Sequence, residues 1–272
     1  MISYHRVYAN YQKINGDKHP VLHELSTRID DGEFVAIMGR NGSGKSTMAR
    51  LCNGLVLPSS GEICVNKLPI SAAIRQNIPE IRRLVGMVFQ NPDNQLVSTT
   101  VEREIAFGLE NLGIPHLEML RRVDAALHDF ELAPVRKKSP AYLSGGEKQR
   151  LALAAVMAMQ PAHLILDEPT AMLDFKHKKK LLDFVTSVNT ERKATVILIT
   201  QDPVEALFAH RLLVLHNGNI AFDGAPHDLF LDANKLTAFD FLAPIEFDAY
   251  HILKLEGNTS PALKNVLLDP IL

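Results

Sequence analysis

The chain has 272 residues, of which 46% are hydrophobic and 22% are charged, and this composition predicts a folded globular protein rather than a disordered one. Its 29 basic and 31 acidic residues give a formal net charge of −2, which argues against a general nucleic-acid-binding protein. Two cysteines are too few for a disulfide framework or a four-thiolate zinc site, and no apolar stretch is long enough to span a bilayer.

The N-terminal part of the chain predicts strands and one helix. Aromatic and β-branched residues alternate loosely with polar ones over residues 2–11, which predicts a strand at a sheet edge or in a meander. Residues 34–38 are a short apolar run that leads into a glycine-rich loop, and residues 45–53 after that loop predict a helix. Another short apolar run predicts a strand at residues 85–89.

The middle of the chain predicts helices, and strands return after it. The predicted helices of this middle part are residues 101–112, 117–130 and 146–159. The elements predicted beyond them are a strand at 163–166, a helix at 175–188, a strand at 195–200, a hairpin of 211–216 and 219–223 around Asn217-Gly218, and a short helix at 226–230. Because the apolar strands lack polar alternation, we expect a largely parallel sheet with helices on both faces.

Residues 39–47, Gly-Arg-Asn-Gly-Ser-Gly-Lys-Ser-Thr, match the pattern of a phosphate-binding loop in full, between a predicted strand and a predicted helix. The glycines let several backbone N–H groups point at phosphate oxygens, and the helix start adds the positive end of a dipole. Lys45 supplies a cation for the terminal phosphates, and Ser46 offers a hydroxyl to Mg²⁺. The alternative is an ordinary glycine-rich turn with a surface lysine.

Two carboxylates end the apolar run at residues 164–168. Side chains at the C-terminal end of a strand in an open α/β sheet reach the ligand crevice. Asp167 is therefore a candidate for the Mg²⁺ shell, and Glu168 is a candidate general base for the attacking water. The alternative is a strand that ends in a solvated acidic turn.

A second candidate anion site precedes the helix predicted at 146–159. Ser144 and Glu147 have the spacing of a capping box, so the simplest interpretation is a well-capped helix start. The other interpretation is a second phosphate site, in which Ser144, Gly145 and Gly146 are presented at the positive end of a helix.

Together these segments resemble the nucleotide-binding subunit of an ATP-binding cassette (ABC) transporter. Residues 39–47 resemble its Walker A motif, 164–168 its Walker B motif and 143–150 its signature sequence. Residues 171–174 resemble its D-loop, and Gln90 stands where the family has the glutamine of its Q-loop. The motifs occur in family order over residues from about 2 to 225.

The resemblance implies an α/β fold: a RecA-like P-loop NTPase core with an antiparallel β subdomain and an inserted α-helical signature subdomain. We expect the ATPase domain at 1–225, with the helical subdomain at about 92–160, and a C-terminal extension at 226–272 that serves either dimer contacts or regulation. ATP and Mg²⁺ are the implied cofactors. The implied assembly is a head-to-tail dimer that holds ATP between the Walker A motif of one subunit and the signature sequence of the other.

Site residues follow from the same resemblance. The implied catalytic residues are Glu168, Gln201 and Lys45, and the implied metal-binding residues are Ser46, Gln90 and Asp167. The implied nucleotide-binding residues are Tyr11, Gly39, Asn41, Gly42, Ser43, Gly44, Lys45, Ser46, Thr47, Gln90, Ser144, Gly145, Gly146 and Asp174. Tyr11 matches the aromatic that stacks on adenine, with a plain strand aromatic as its alternative; a surface polar residue is the alternative for Gln90.

Residues 88–96 and 100–108 resemble the ATPases of energy-coupling factor (ECF) importers. That resemblance implies uptake of a micronutrient, a vitamin or a cobalt or nickel ion. It also implies three partners and no nucleic acid: a second ABC ATPase subunit, identical or paralogous, a transmembrane coupling protein and a substrate-binding membrane protein. The chain would then lie on the cytoplasmic face of the cell membrane. The ATPase of another ABC importer or exporter is the alternative.

Gln201 departs from the family pattern, which normally has histidine at this position. Glutamine can donate a hydrogen bond but cannot become a cation near neutral pH. We therefore expect this chain to bind ATP well and to hydrolyse it slowly at its own Walker site, unless glutamine suffices. A heterodimer whose other site turns over normally fits that expectation, and so does a nucleotide sensor that does not hydrolyse ATP.

A soluble ABC-type ATPase that acts on DNA or ribosomes would need a strongly basic groove, long coiled-coil inserts or a second cassette, and the sequence contains none of these signals.

The basic run at residues 176–180 stands at a predicted helix start, and we expect it to be a solvated face.

Overall fold

Two β-sheets organise the part of the chain that the computed structural model describes, residues 1–12 and 18–255. The strands within these residues are β1 (Ile2–Gln12), β2 (Lys18–Ile29), β3 (Phe34–Gly39), β4 (Ser60–Val65), β5 (Leu68–Ile70), β6 (Val85–Val88), β7 (His163–Asp167), β8 (Thr195–Ile199), β9 (Arg211–His216) and β10 (Asn219–Gly224). The helices are α1 (Lys45–Cys52), α2 (Ile78–Leu84), α3 (Val101–Asn111), α4 (His116–Asp129), α5 (Gly145–Ala158), α6 (Phe175–Arg192), α7 (Pro203–Ala206), α8 (Pro226–Phe230), α9 (Ala233–Phe239) and α10 (Ile245–Leu255).

The larger sheet has six strands in the order β10-β9-β3-β8-β7-β6. All its neighbouring strands are parallel except the β9–β10 hairpin, so the predicted parallel sheet and the predicted hairpin are both confirmed. The smaller sheet is antiparallel and has the order β2-β1-β4-β5. β1 lies between β2 and β4, so it is an internal strand and the edge position that the sequence allowed is wrong.

The parallel strands of the larger sheet are buried on both faces. Along β3, Phe34 and Ala36 pack into an apolar cluster on the helical side, whereas Val35 and Ile37 pack into a second cluster beneath the antiparallel sheet and α1. All of these side chains are at most 1% exposed. Burial on both faces explains why the strand sequences are continuously apolar, since neither face needs polar residues.

A group of three helices, α3 to α5, is inserted between strands β6 and β7. Val101, Ile105 and Leu109 are four residues apart on α3, and all three are fully buried in the helical-side cluster. The Thr100 side chain caps this helix by accepting a hydrogen bond from the backbone N–H of Arg103. The expected inserted helical part is thus present; its limits at 92 and 160 stay a prediction.

The C-terminal helices pack onto the same helical-side cluster. Phe230 on α8 and Phe247 on α10 are fully buried, with their ring centroids 5.7 Å apart, and Leu236 on α9 joins the cluster. The domain boundary at 225 stays a prediction, and residues 256–272 of the expected extension lie outside the described residues. Within residues 1–12 and 18–255, no helix combines the length and apolarity that a membrane span requires.

Candidate nucleotide-binding site

The loop between β3 and α1 has a backbone that requires glycine. Gly39 has φ +155°, and a Cβ atom at this position would lie 2.4 Å from the carbonyl oxygen of Leu215 and 2.5 Å from Oγ of Ser43. Gly44, the residue before α1, has φ +106°, which L-residues rarely adopt. The loop is therefore a tight cradle in which the backbone itself is available to a ligand.

Lys45 begins α1 and folds back over this cradle. Its Nζ donates to the carbonyl oxygens of Gly39 (2.7 Å) and Arg40 (3.1 Å), and the residue is only 6% exposed. Burial lowers the pKa of Lys45 below its ordinary value, while the negative charges of Glu168 and Asp167 oppose that shift. A partly desolvated cation at a helix start is suited to an anionic ligand.

Ser43 supplies a second indication of a ligand in the cradle. Its hydroxyl is buried and has no hydrogen-bond partner among residues 1–12 and 18–255. Buried hydroxyls are normally paired, because an unpaired one loses its hydration without compensation. An acceptor such as a phosphate oxygen would pair it, so the loop fits the triphosphate group of a nucleotide.

Asp167, the last residue of β7, contacts the start of α1. Its Oδ1 accepts a hydrogen bond from Oγ of Ser46 at 3.1 Å, and the carboxyl is 2% exposed. Burial raises the pKa of Asp167, and the hydrogen bond from Ser46 opposes that rise. A hydroxyl and a carboxylate side by side are the oxygen donors that Mg²⁺ prefers, so these residues fit that ion.

Glu168 follows in the left-handed backbone region, with φ +48°, a strained conformation for a non-glycine residue. Its backbone N–H donates to the carbonyl oxygen of Ile199 at 3.0 Å. The carboxylate accepts one hydrogen bond on each oxygen, at 2.6 Å from Nε2 of Gln90 and at 2.6 Å from Nε2 of Gln201. Two amides from different strand ends therefore fix the orientation of this carboxylate.

Gln201 also connects Glu168 to the phosphate-binding loop, because its Nε2 donates to Oδ1 of Asn41 at 3.0 Å. Tyr11 lies near the same helix start: its hydroxyl is 3.2 Å from Oγ1 of Thr47, and the side chain is 38% exposed. The structure thus brings together the loop at 39–47, both carboxylates and both glutamines.

The predicted signature residues form a separate group. Ser144 caps α5 in a full capping box with Glu147, and a Cβ atom at Gly145 would lie 3.5 Å from Sδ of Met172. Asp174 caps α6, and hydrogen bonds from His177 lower the pKa of Asp174, the backbone N–H most strongly. Over the described ranges, no hydrogen bond joins Ser144 or Asp174 to the phosphate-binding loop.

Three polar residues next to the site carry no recognisable sequence motif: Glu205 accepts hydrogen bonds from the hydroxyls of Thr170 and Thr200. Glu205 is only 1% exposed. A glutamate in a short helix after Asp-Pro carries no sequence signal of burial, so the burial of Glu205 was not predictable. The expected solvated face at 176–180 is wrong for Lys178, which forms ion pairs with Asp202 and Glu205.

Fold and site together define a P-loop nucleotide-binding protein with two sheets and an inserted helical group. A family model described as ABC transporter matches residues 22–171. The chain belongs to the ABC transporter family.

Known proteins narrow this assignment. The energy-coupling factor transporter ATP-binding protein EcfA of Enterococcus faecium is 44% identical over 253 residues, which are 93% of this chain and 90% of that protein. The solved structure of cbiO1 from Clostridium perfringens, described as part of the ABC transporter complex cbiONQ, is 34% identical with a TM-score of 0.72 and covers 87% of this chain and 92% of its own. The ATP-binding cassette MJ0796, solved as a dimer bound to ADP and Pi, is 29% identical with a TM-score of 0.77 and covers 83% of this chain and 99% of its own.

Proposed function

We propose that this protein is the ATP-binding and ATP-hydrolysing subunit of an ECF-type importer for a micronutrient, either a vitamin or a transition-metal ion. The observation that carries the hydrolytic part is the Glu168 carboxylate, held on both oxygens by Gln90 and Gln201 beside the phosphate-binding loop. The similarity to EcfA and to cbiO1 supports the transporter type.

The residues of the site would have different roles in ATP hydrolysis. The loop at 39–47 would hold the phosphates, with Lys45 leaving its two carbonyl partners for the terminal oxygens. Ser46, Asp167 and Gln90 would hold Mg²⁺, which supplies positive charge to the phosphate oxygens. Glu168 would orient a water molecule and take its proton as the water oxygen bonds to the γ-phosphorus and the bond to ADP breaks.

The proposed assembly is a head-to-tail dimer of this subunit with a second ABC ATPase subunit. Ser144, Gly145 and Gly146 lie at the N-terminus of α5, where a partner's nucleotide would meet the positive end of the helix dipole. Asp174 would contribute beside them, and Tyr11 would stack on the adenine. A transmembrane coupling protein and a substrate-binding membrane protein complete the complex, with this chain on the cytoplasmic face of the membrane.

Two substitutions test the hydrolytic proposal. Glu168→Gln keeps a similar shape and removes the base, so we expect ATP binding to persist and single-turnover hydrolysis to fall by about a hundredfold or more. Lys45→Ala should weaken ATP binding itself, because it removes the cation of the cradle. Equilibrium binding of a labelled ATP and quenched-flow hydrolysis measure the two effects. Hydrolysis that persists in Glu168→Gln would contradict the proposal.

A second candidate function, a slow-hydrolysing nucleotide sensor, is favoured by Gln201 in place of the usual histidine. The Gln201 amide reaches both Glu168 and Asn41 but stays uncharged. If this lack of charge slows turnover, Gln201→His should raise the single-turnover rate by about tenfold at unchanged ATP affinity. A histidine variant no faster than the parent would show that glutamine suffices.

A further inference from the structure

Glu205 is a buried carboxylate behind the proposed hydrolytic site. It lies in the short helix α7 and is 1% exposed, although its neighbour Val204 is 48% exposed. Its two oxygens accept hydrogen bonds from two threonine hydroxyls, Thr170 on Oε1 and Thr200 on Oε2, each at 2.5 Å. A buried carboxylate is strongly disfavoured unless it is paired in this way, so the arrangement is specific.

The Thr200 contact shapes the turn that carries Gln201. Oγ1 of Thr200 donates to Glu205 and at the same time accepts from the backbone N–H of Asp202 at 2.9 Å. Thr200 is itself 2% exposed, and its backbone N–H donates to the carbonyl oxygen of Ile37 on β3. The residues on both sides of Gln201 are thus held in place through Glu205.

The Thr170 contact acts in the same way on the turn after Glu168. This turn has a left-handed residue at Glu168, and the backbone N–H of Ala171 donates back to the carbonyl oxygen of Glu168 at 3.3 Å. Thr170 is two residues beyond Glu168 and is 8% exposed. One carboxylate therefore connects the turn of the general base with the turn of its hydrogen-bond partner.

The start of helix α6 also contacts Glu205, through Lys178. Nζ of Lys178, in the first turns of α6, is 2.9 Å from Oε1 of Glu205 and also pairs with Asp202. Burial lowers the pKa of Lys178, but the hydrogen bonds to Asp202 and Glu205 outweigh it and raise the pKa above its ordinary value. Lys178 also follows Asp174, the cap of α6, by one helical turn.

We propose that Glu205 is a positioning residue for hydrolysis, which sets the contact between Glu168 and Gln201 by holding the turns at Thr170 and Thr200. This role rests on the proposed function. Glu205 does not touch the nucleotide; it acts through the 2.6 Å contact between Gln201 and Glu168. Lys178 neutralises the negative charge of Glu205 and also connects the two turns to the start of α6.

The experiment compares Glu205→Gln with the full-length parent. Glutamine has one acceptor oxygen in place of two, so one threonine must reorient and Lys178 loses its charged partner. We expect kcat for ATP hydrolysis to fall by about tenfold to a hundredfold, because a small displacement of the general base slows proton transfer, while the Kd for ATP stays within about threefold. Thr170→Val and Thr200→Val each remove one hydroxyl at nearly constant shape and should show smaller losses in the same direction.

A matched control is Glu104→Gln, the same change at another buried carboxylate. Glu104 is 4% exposed and accepts from the backbone N–H groups of Val97 and Ser98, in the inserted helical part. The Glu104→Gln variant should lower the thermal midpoint of unfolding about as much as Glu205→Gln does, but it should leave kcat near that of the parent. Equal kcat losses in the two variants would overturn the positioning role and indicate general destabilisation.

A double-mutant cycle separates positioning from folding. In a Gln201→Ala background the contact that Glu205 serves is absent, so Glu205→Gln should cost much less in kcat than it does in the parent. Fully additive losses would overturn the proposal. A parent that binds ATP without hydrolysing it would overturn both this inference and the proposed function, whereas an active parent with an equally active Glu205→Gln variant would overturn the inference alone.

Discussion

At the scale of single residues, burial decides which groups carry charge. His163, the first residue of β7, is 1% exposed; its Nε2 lies 2.9 Å from Oδ1 of Asn66, while its Nδ1 is buried without a partner among the described residues. Burial lowers the pKa of His163 to about 4, and the positive charge of the N-terminus acts in the same direction. The folded protein therefore keeps this imidazole neutral.

This shift predicts a loss of stability at mildly acidic pH. The unfolded chain protonates this histidine near pH 6.5 and the folded chain only near pH 4, so between these values the unfolded state binds more protons and the free energy of unfolding falls as pH falls. From pH 7 to pH 5 the contribution of His163 is about 2 kcal/mol. Urea unfolding at both pH values measures it.

The control for this prediction is His163→Gln, which cannot titrate. The variant should lose about 2 kcal/mol less than the parent over the same pH interval, whatever its stability at pH 7. An identical pH dependence in the two proteins would assign the acid sensitivity to other groups.

At the scale of elements, helix starts are the parts that local sequence specifies most directly. Ser144 was predicted to cap a helix from its spacing to Glu147, and the capping box is present: Oγ of Ser144 accepts from the N–H of Glu147, whose carboxylate accepts from the N–H of Ser144. The phosphate-binding loop and α1 were predicted for a similar reason, because the required glycines and the helix lie within a few consecutive residues.

The cap has a measurable contribution of its own. Ser144→Ala should lower the free energy of unfolding by about 1 kcal/mol in the absence of nucleotide, because the N–H groups at the start of α5 lose their partner. Thr190→Ala, on the exposed side of α6, is the control and should change stability by less than about 0.5 kcal/mol. Urea unfolding of both variants tests this, and equal effects would argue against the cap.

At the scale of the whole molecule, the C-terminal helices belong to the main apolar core. Phe247 on α10 is fully buried, with its ring centroid 5.7 Å from those of both Phe230 and His227. The chain after residue 225 loses motif content but contributes side chains to the cluster that covers the parallel sheet. We therefore expect this segment to unfold together with the sheet.

Truncation of one side chain tests that expectation. Phe247→Ala should lower the free energy of unfolding by about 3–5 kcal/mol through lost burial and a residual cavity. Ile252→Ala on the same helix is the control; that side chain is 58% exposed, so its loss should cost under about 0.5 kcal/mol. A small effect of Phe247→Ala, or a separate early unfolding transition, would show that the C-terminal helices fold independently.

The sequence by itself determined the family and the parallel sheet and predicted the residues of the phosphate-binding loop, because each depends on short runs of neighbouring residues. The sequence patterns did not predict strands β2, β4 and β5. These strands belong to the antiparallel sheet and are partly exposed, so their apolar patterns are weaker than those of the buried parallel strands.

Only the tertiary structure decided the surroundings of Glu168. Gln90, Gln201 and Asn41 stand far apart in the chain and meet because parallel strands align their C-terminal ends. The contacts of Glu205 with both Thr170 and Thr200 have the same origin. Burial and pairing arise from packing between distant segments, which no local pattern encodes.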